Sequence, residues 1–237
     1  MSTTAAPAAA SQTEAEVSSE STPAHPVPTR LLLVRHAVTG QTGRLLYGRM
    51  PGMDLSEEGR AQAAAVAERL ARLPIRAIYA SPVERAAQTA AAIGATTGLD
   101  VITDEGVIEV DAGDWTGMTF ADLAKLDEWK SLQKTPSRAV LPGGESLAGM
   151  QARAVSALEA IARRHPGENV VVVSHRDPIL AALAHYAGVH MDHYERMAVA
   201  PASVSVVELV GPMATIVKVN DTGSLMEFVP TDGGDDA

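Results

Sequence analysis

Short apolar runs recur along the chain, and each ends in a polar cluster. "RLLLV" at residues 30–34, "IRAIYAS" at 75–81 and "NVVVV" at 169–173 are predicted to be buried strands. Ala-rich segments with helix start and stop signals lie between them. Ser56 stands as an N-cap before Glu57 and Glu58, and Pro74 interrupts the helix that begins there. Pro82 is expected at the first position of a second helix, which stops near Gly98. "LDVITDEGVIEVDAGDWTGM" supplies a short strand and a turn-rich acidic segment, and residues 119–129 read as one helix. A longer helix spans 146 to about 164, and the strand from Asn169 leads through a turn into another. "ASVSVVELV" and "ATIVKV" read as hairpin strands around "GPM", with an edge near "VVELV" that could pair across a dimer. The alternation is that of an α/β protein with one main sheet.

At 237 residues and 46% hydrophobic, the chain can build one substantial core without covalent staples. It contains no cysteine, which excludes disulfides, thiolate nucleophiles and Cys-ligated zinc. No apolar run reaches the length of a membrane span, so no membrane partner is expected. Residues 1–29 are rich in Ala, Ser, Thr and Pro and have neither a basic n-region nor an apolar h-region. They are expected to form a disordered leader, with a cytoplasmic location. Residues 230–237 read as a polar tail, leaving 30–229 as the folded domain. A net charge of −10 opposes nucleic acid and favours a small anionic ligand held in a local positive pocket.

That pocket has visible candidates. In an open α/β sheet the carboxyl ends of parallel strands converge on one crevice, so Arg35, His36, Arg85 and His175 can meet there. Guanidinium forks and free amide groups at a helix start suit phosphate oxygens. A neutral His36 in such a cradle could attack phosphorus in line and form a phosphohistidine. The arginines and His175 would stabilise the transferring oxygens. The leaving alkoxide needs a proton from a carboxyl group of raised pKa. Glu105, Glu109, Asp111 and Asp114 are all candidates, with Trp115 as a possible apolar wall. "HYAGVHMDHYE" gathers His185, His190, Asp192 and His193, but their spacing matches no metal signature and reads as surface. Gly143, Gly144 and Glu145 read equally as a turn before a helix and as pocket lining.

These motifs together resemble the histidine phosphatase superfamily, the branch shared by phosphoglycerate mutases and small phosphomonoesterases. "RHA" at Arg35, His36 and Ala37, "LSEEGRAQA" from Leu55, "SPVERAAQTA" from Ser81, "EVDAGDWTG" from Glu109, "PGGES" from Pro142 and "VVVSHRDP" from Val171 follow its order. The resemblance implies a three-layer α/β/α sandwich around one mostly parallel central sheet. It implies His36 as nucleophile, Glu109 as general acid, and Arg35, Arg85 and His175 as phosphate-pocket residues. Ala37 and Arg176 depart from the family's glycines, and Thr42 stands where relatives commonly place asparagine, with Gln41 beside it as a possible substitute donor. Thr42 is thus expected at the phosphate, and Gln41, Trp115, Gly144 and Arg176 around the substrate. Residues 119–141 are expected to form part of a lid, where Trp129, Lys130, Lys134 and Arg138 could meet a second anion. The compact stretch from Glu109 to His175 favours hydrolysis of a small phosphorylated substrate over mutase transfer, without metal or organic cofactor, by a monomer or homodimer. A non-catalytic phosphate sensor is the remaining alternative, disfavoured because both His36 and Glu109 are present.

Overall fold

In the computed structural model, which describes residues 1–2 and 27–223, the chain runs β1 (Thr29–Arg35), β2 (Leu45–Leu46), α1 (Glu57–Leu70), β3 (Ile75–Ala80), α2 (Glu84–Thr97), β4 (Val101–Thr103), β5 (Met118–Thr119), α3 (Phe120–Leu123), α4 (Asp127–Lys134), α5 (Leu147–Arg164), β6 (Asn169–Ser174), α6 (Arg176–Tyr186), β7 (Val204–Val210) and β8 (Met213–Asp221). Six strands join in the order β4-β3-β6-β1-β7-β8. The first four are parallel, β7 is antiparallel to β1, and β8 is antiparallel to β7. β2 and β5 form a separate small pair.

Residue alternation along the central strands explains the layers. Leu32, Val34, Val171 and Val173 face α1 and α2, where Val66, Leu70, Ala90 and Ile93 receive them. Leu31, Leu33, Val170 and Val172 face α5 and α6, against Met150, Leu158, Ile161 and Leu183. β-Branched residues suit a strand covered on both sides, and each fully buried valine contributes about 1.5–3 kcal/mol relative to exposure. The result is the expected α/β/α sandwich around a mostly parallel sheet. Helix ends follow local chemistry: Ser56 accepts from Gly59 N–H and Ser146 from Gly149 N–H at 3.0 Å, and Gly98 closes α2 at φ 75°.

Four local expectations change. Pro82 does not open α2, because the Ser81 hydroxyl accepts from Val83 N–H at 3.3 Å and this turn delays the helix to Glu84. The single helix expected over 119–129 is two. Thr119 caps α3 by accepting from Asp122 N–H at 3.0 Å, and the chain then turns so that Leu123, Leu126 and Trp129 all reach the core. "VVELV" belongs to β7, which is internal between β1 and β8, so the edge strand on that side is β8. Thr29 already belongs to β1, while the rest of the leader lies outside the described residues except at residues 1–2 and 27–28. The tail at 230–237 lies outside them as well. Among the described residues, no helix is long and apolar enough to cross a membrane.

Candidate active site

Three strand ends are stitched together just where their polar clusters begin. His36 N–H donates to Ser174 O at 2.9 Å and Ser81 N–H to Val173 O at 3.0 Å, so the ends of β1, β3 and β6 are held level. His36, Arg85 and His175 thereby meet, with exposures of 2%, 0% and 0%. The two imidazole rings lie 5.2 Å apart between centroids.

Hydrogen bonds fix the state of His36. Its Nδ1 donates to Ala37 O at 2.8 Å, leaving Nε2 without a proton, and Arg85 Nε donates to that nitrogen at 3.1 Å. Burial, reinforced by the Arg85 charge and by Arg35, holds the ring's pKa well below its ordinary value, so it is neutral at pH 7. Arg85 is aimed by Gly48 O, which accepts from Nη2 at 2.8 Å, and by the Tyr47 ring, whose centroid lies 4.5 Å from the guanidinium carbon. Arg35 Nη1 donates to Val199 O at 2.8 Å.

His175 is the N-cap of α6, and its Nε2 lies 2.7 Å from Ser81 Oγ. Burial, then Arg85 and His36, push its pKa well down. Arg35 Nε, Arg85 Nη1 and His175 Nδ1 are buried nitrogens without a hydrogen-bond partner in the protein. Leaving buried donors unpaired is costly, so two guanidinium nitrogens beside an imidazole nitrogen that can also carry a proton mark a site built for acceptor oxygens.

Glu109 stands beside them, 8% exposed, with Oε2 3.9 Å from His175 Nδ1. Its Oε1 accepts from Val110 N–H at 2.9 Å. Burial, then the nearby Asp177 charge, push its pKa up to about 7 against the opposing pull of Arg85. Glu109 is therefore substantially protonated at neutral pH and faces a neutral imidazole, so the 3.9 Å approach is no fixed ion pair. Of the four acid candidates, Glu109 alone lines the cavity.

The cavity above these groups measures about 350 Å³ and is walled by Leu45, Leu46, Tyr47, Val110 and Phe120, with Arg176 and Asp177 on its polar side. Arg176 Nη1 donates to Asp177 at 2.7 Å and to Glu195 at 3.1 Å. Thr42 is on the lining, but its hydroxyl accepts from Thr39 N–H at 2.9 Å and so also shapes its own loop. Gln41 is absent from the lining and donates its N–H to Thr39 Oγ1 at 3.3 Å. Trp115 is not the wall: it is buried in the core against Trp129, 5.6 Å between ring centroids. Gly144 also lies away from the cavity. It is needed where two loops touch, since a Cβ there would strike Asp111 O. Of residues 119–141, only Phe120 reaches the lining, while Lys130 pairs with Asp127 at 2.8 Å. His185, His190, Asp192 and His193 assemble no metal-binding cluster among the described residues.

Several supporting residues were not marked by sequence reasoning. Thr89 accepts from Ala37 N–H at 3.1 Å and donates to Arg85 O at 2.8 Å; its place one helical turn after Arg85 was an available signal. Tyr47, Gly48 and Val199 act through loops whose contacts no local spacing reveals. Asp177 was hidden beside the more conspicuous Arg176.

The comparisons with known proteins place the chain in a family. Residues 31–222 match the model of the histidine phosphatase superfamily (branch 1). Phosphoserine phosphatase 1 of Hydrogenobacter thermophilus is 34% identical over 201 residues, covering 84% of this chain and 95% of that one. A bifunctional protein of Mycobacterium tuberculosis is 36% identical over 224 residues, 92% of this chain, which spans 61% of that protein's length. The solved mycobacterial glucosyl-3-phosphoglycerate phosphatase superposes with a TM-score of 0.75 at 26% identity, covering 82% of this chain and 99% of that one. With a family match across the whole sheet and the anion-seeking histidine and arginine cluster at its strand ends, the chain belongs to branch 1 of the histidine phosphatase superfamily and is a phosphoric monoester hydrolase.

Proposed function

We propose that the enzyme hydrolyses a small phosphorylated metabolite without a metal, through a phosphohistidine on His36 and with Glu109 as general acid. The observation that carries this reading is geometric: His36 presents an unprotonated Nε2 because its Nδ1 donates to Ala37 O, and the buried carboxyl of Glu109, with its pKa pushed up to about 7, stands 3.9 Å from His175 beside it. A substrate phosphate would take the hydrogen bonds of Arg35, Arg85 and His175, drawing Arg85 Nε from His36 onto a phosphoryl oxygen. Nε2 then forms its bond to phosphorus as the ester P–O bond breaks, and the Glu109 proton goes to the leaving oxygen. In the second step the Glu109 carboxylate takes a proton from water, whose oxygen attacks phosphorus and releases phosphate and free His36. The 350 Å³ cavity lies at the small end of ligand pockets, in keeping with a small phosphorylated group.

The test is phosphate release, with chelator present, across a panel that includes phosphoserine and glucosyl-3-phosphoglycerate, the substrates in the names of two relatives. Release that survives chelation, with an acid-labile phosphoenzyme absent from His36→Ala, is the expected result. Loss of release in chelator overturns the metal-free route. Transfer to a second hydroxyl of the substrate without release identifies a mutase instead.

A further inference from the structure

The loop carrying Glu109 is held by a second carboxylate. Glu145 Oε2 accepts from Arg49 Nη2 and Arg153 Nη2 at 3.0 Å each, and Oε1 accepts from Arg153 Nε at 3.0 Å. Arg153 Nη1 donates onward to Gly106 O at 2.8 Å and Ile108 O at 3.0 Å. Arg49 Nε donates to the main-chain oxygen of Glu109 itself at 2.8 Å. One carboxylate therefore sets the angle between two guanidinium planes, and those planes grip the acid loop at three carbonyls. Planar, charge-assisted bonds of this kind transmit orientation as well as attraction.

We infer that Glu145 is a positioning residue for the general acid. By orienting Arg49 and Arg153 it fixes the main chain of Glu109 and with it the carboxyl's place beside His175. This rests on the reading of Glu109 as the acid. Glu145 itself donates nothing to the reaction, because it is absent from the cavity lining and both of its oxygens are occupied by arginines.

Leaving-group dependence separates positioning from simple support of the fold. Phenyl phosphate expels a basic oxygen that needs the proton, whereas 2,4-dinitrophenyl phosphate expels one that leaves without it. Glu145→Gln keeps the shape but loses the charge. Arg49→Met breaks the link from the other end while Arg153 still holds Glu145, and it carries the test if Glu145→Gln does not fold. In each variant, kcat/KM for phenyl phosphate is expected to fall about tenfold and that for 2,4-dinitrophenyl phosphate by less than about threefold, a fraction of the roughly 100- to 10 000-fold supplied by a general acid. Equal losses on both probes, or no loss on either, would overturn the positioning role. Glu109→Gln is measured alongside. If it is selective for phenyl phosphate and the other two variants are not, only the positioning role fails. If Glu109→Gln also slows both probes equally, the acid reading falls, and the positioning role with it.

Discussion

The carboxyl ends of β1 and β6 carry one histidine each, equally buried, yet the two rings are held by opposite nitrogens. His36 is anchored at Nδ1 by a main-chain carbonyl, which can only accept, so its tautomer is dictated. His175 is anchored at Nε2 by the Ser81 hydroxyl, which can donate or accept, so its free Nδ1 can carry a proton or a lone pair. A rigid partner suits a nucleophile that must always present a lone pair. An adaptable partner suits a ring that follows the changing charge of a phosphoryl group.

Removing each ring is the harshest way to break this comparison. His36→Ala is expected to lower kcat about 10⁴-fold or more and to abolish the phosphoenzyme, as loss of a nucleophile should. His175→Ala should cost roughly 10²- to 10³-fold, the usual size for a lost donor to transition-state charge, with phosphoenzyme still detectable by rapid quench. Ser81→Ala leaves both rings but removes the adaptable partner that holds His175 Nε2, and a loss of about tenfold or less is expected. An effect as large as that of His175→Ala would mean that the hydroxyl is not merely an adaptable support.

The pH dependence sharpens the contrast between the histidines and the proposed acid beside them. With Glu109 as the proposed acid, kcat/KM should decline as pH rises through about 7. Asp177 lifts that pKa with its negative charge, so Asp177→Asn should move the declining limb to lower pH. Stability supplies the smallest effect. Glu109 binds its proton more tightly in the folded state, so its contribution is present below the unfolded carboxyl pKa and is lost as pH rises through about 7. Glu109→Gln should therefore raise Tm relative to the wild type at pH 8 and not at pH 4, each kcal/mol appearing as about 2–4 °C.

Much of this was legible because strand burial and strand-end chemistry are local signals. Val170–Val173 announce a buried strand, and the residues that follow announce a polar cluster at its end. Arg35, His36, Arg85 and His175 were legible from strand ends that converge on one crevice, whereas the three-layer arrangement and the choice of Glu109 among four carboxylates came from motif order in the family resemblance, which fixes a relative placement that periodicity cannot. What stayed hidden depends on contacts between distant segments. The start of α2 turns on a Ser81 hydroxyl bond, Trp115 is claimed by Trp129 rather than by the cavity, and Glu145 is tied to the Glu109 main chain through Arg49, far away in sequence. Thr42 shows the reverse limit. Its position was foreseeable, but its bond to Thr39 N–H depends on loop conformation.

The bond from Arg85 Nε to His36 Nε2 has a consequence for the resting enzyme. A naked imidazole lone pair in a cavity is vulnerable to any passing acylating or alkylating agent. Here it is masked by a cation that yields only to something more negative than an imidazole nitrogen. On the proposed route, an uncharged electrophile would offer no such inducement and would meet a covered atom, whereas a phosphate would uncover His36 in the act of binding. The same contact would then act as chemical armour between turnovers and as a gate keyed to anions.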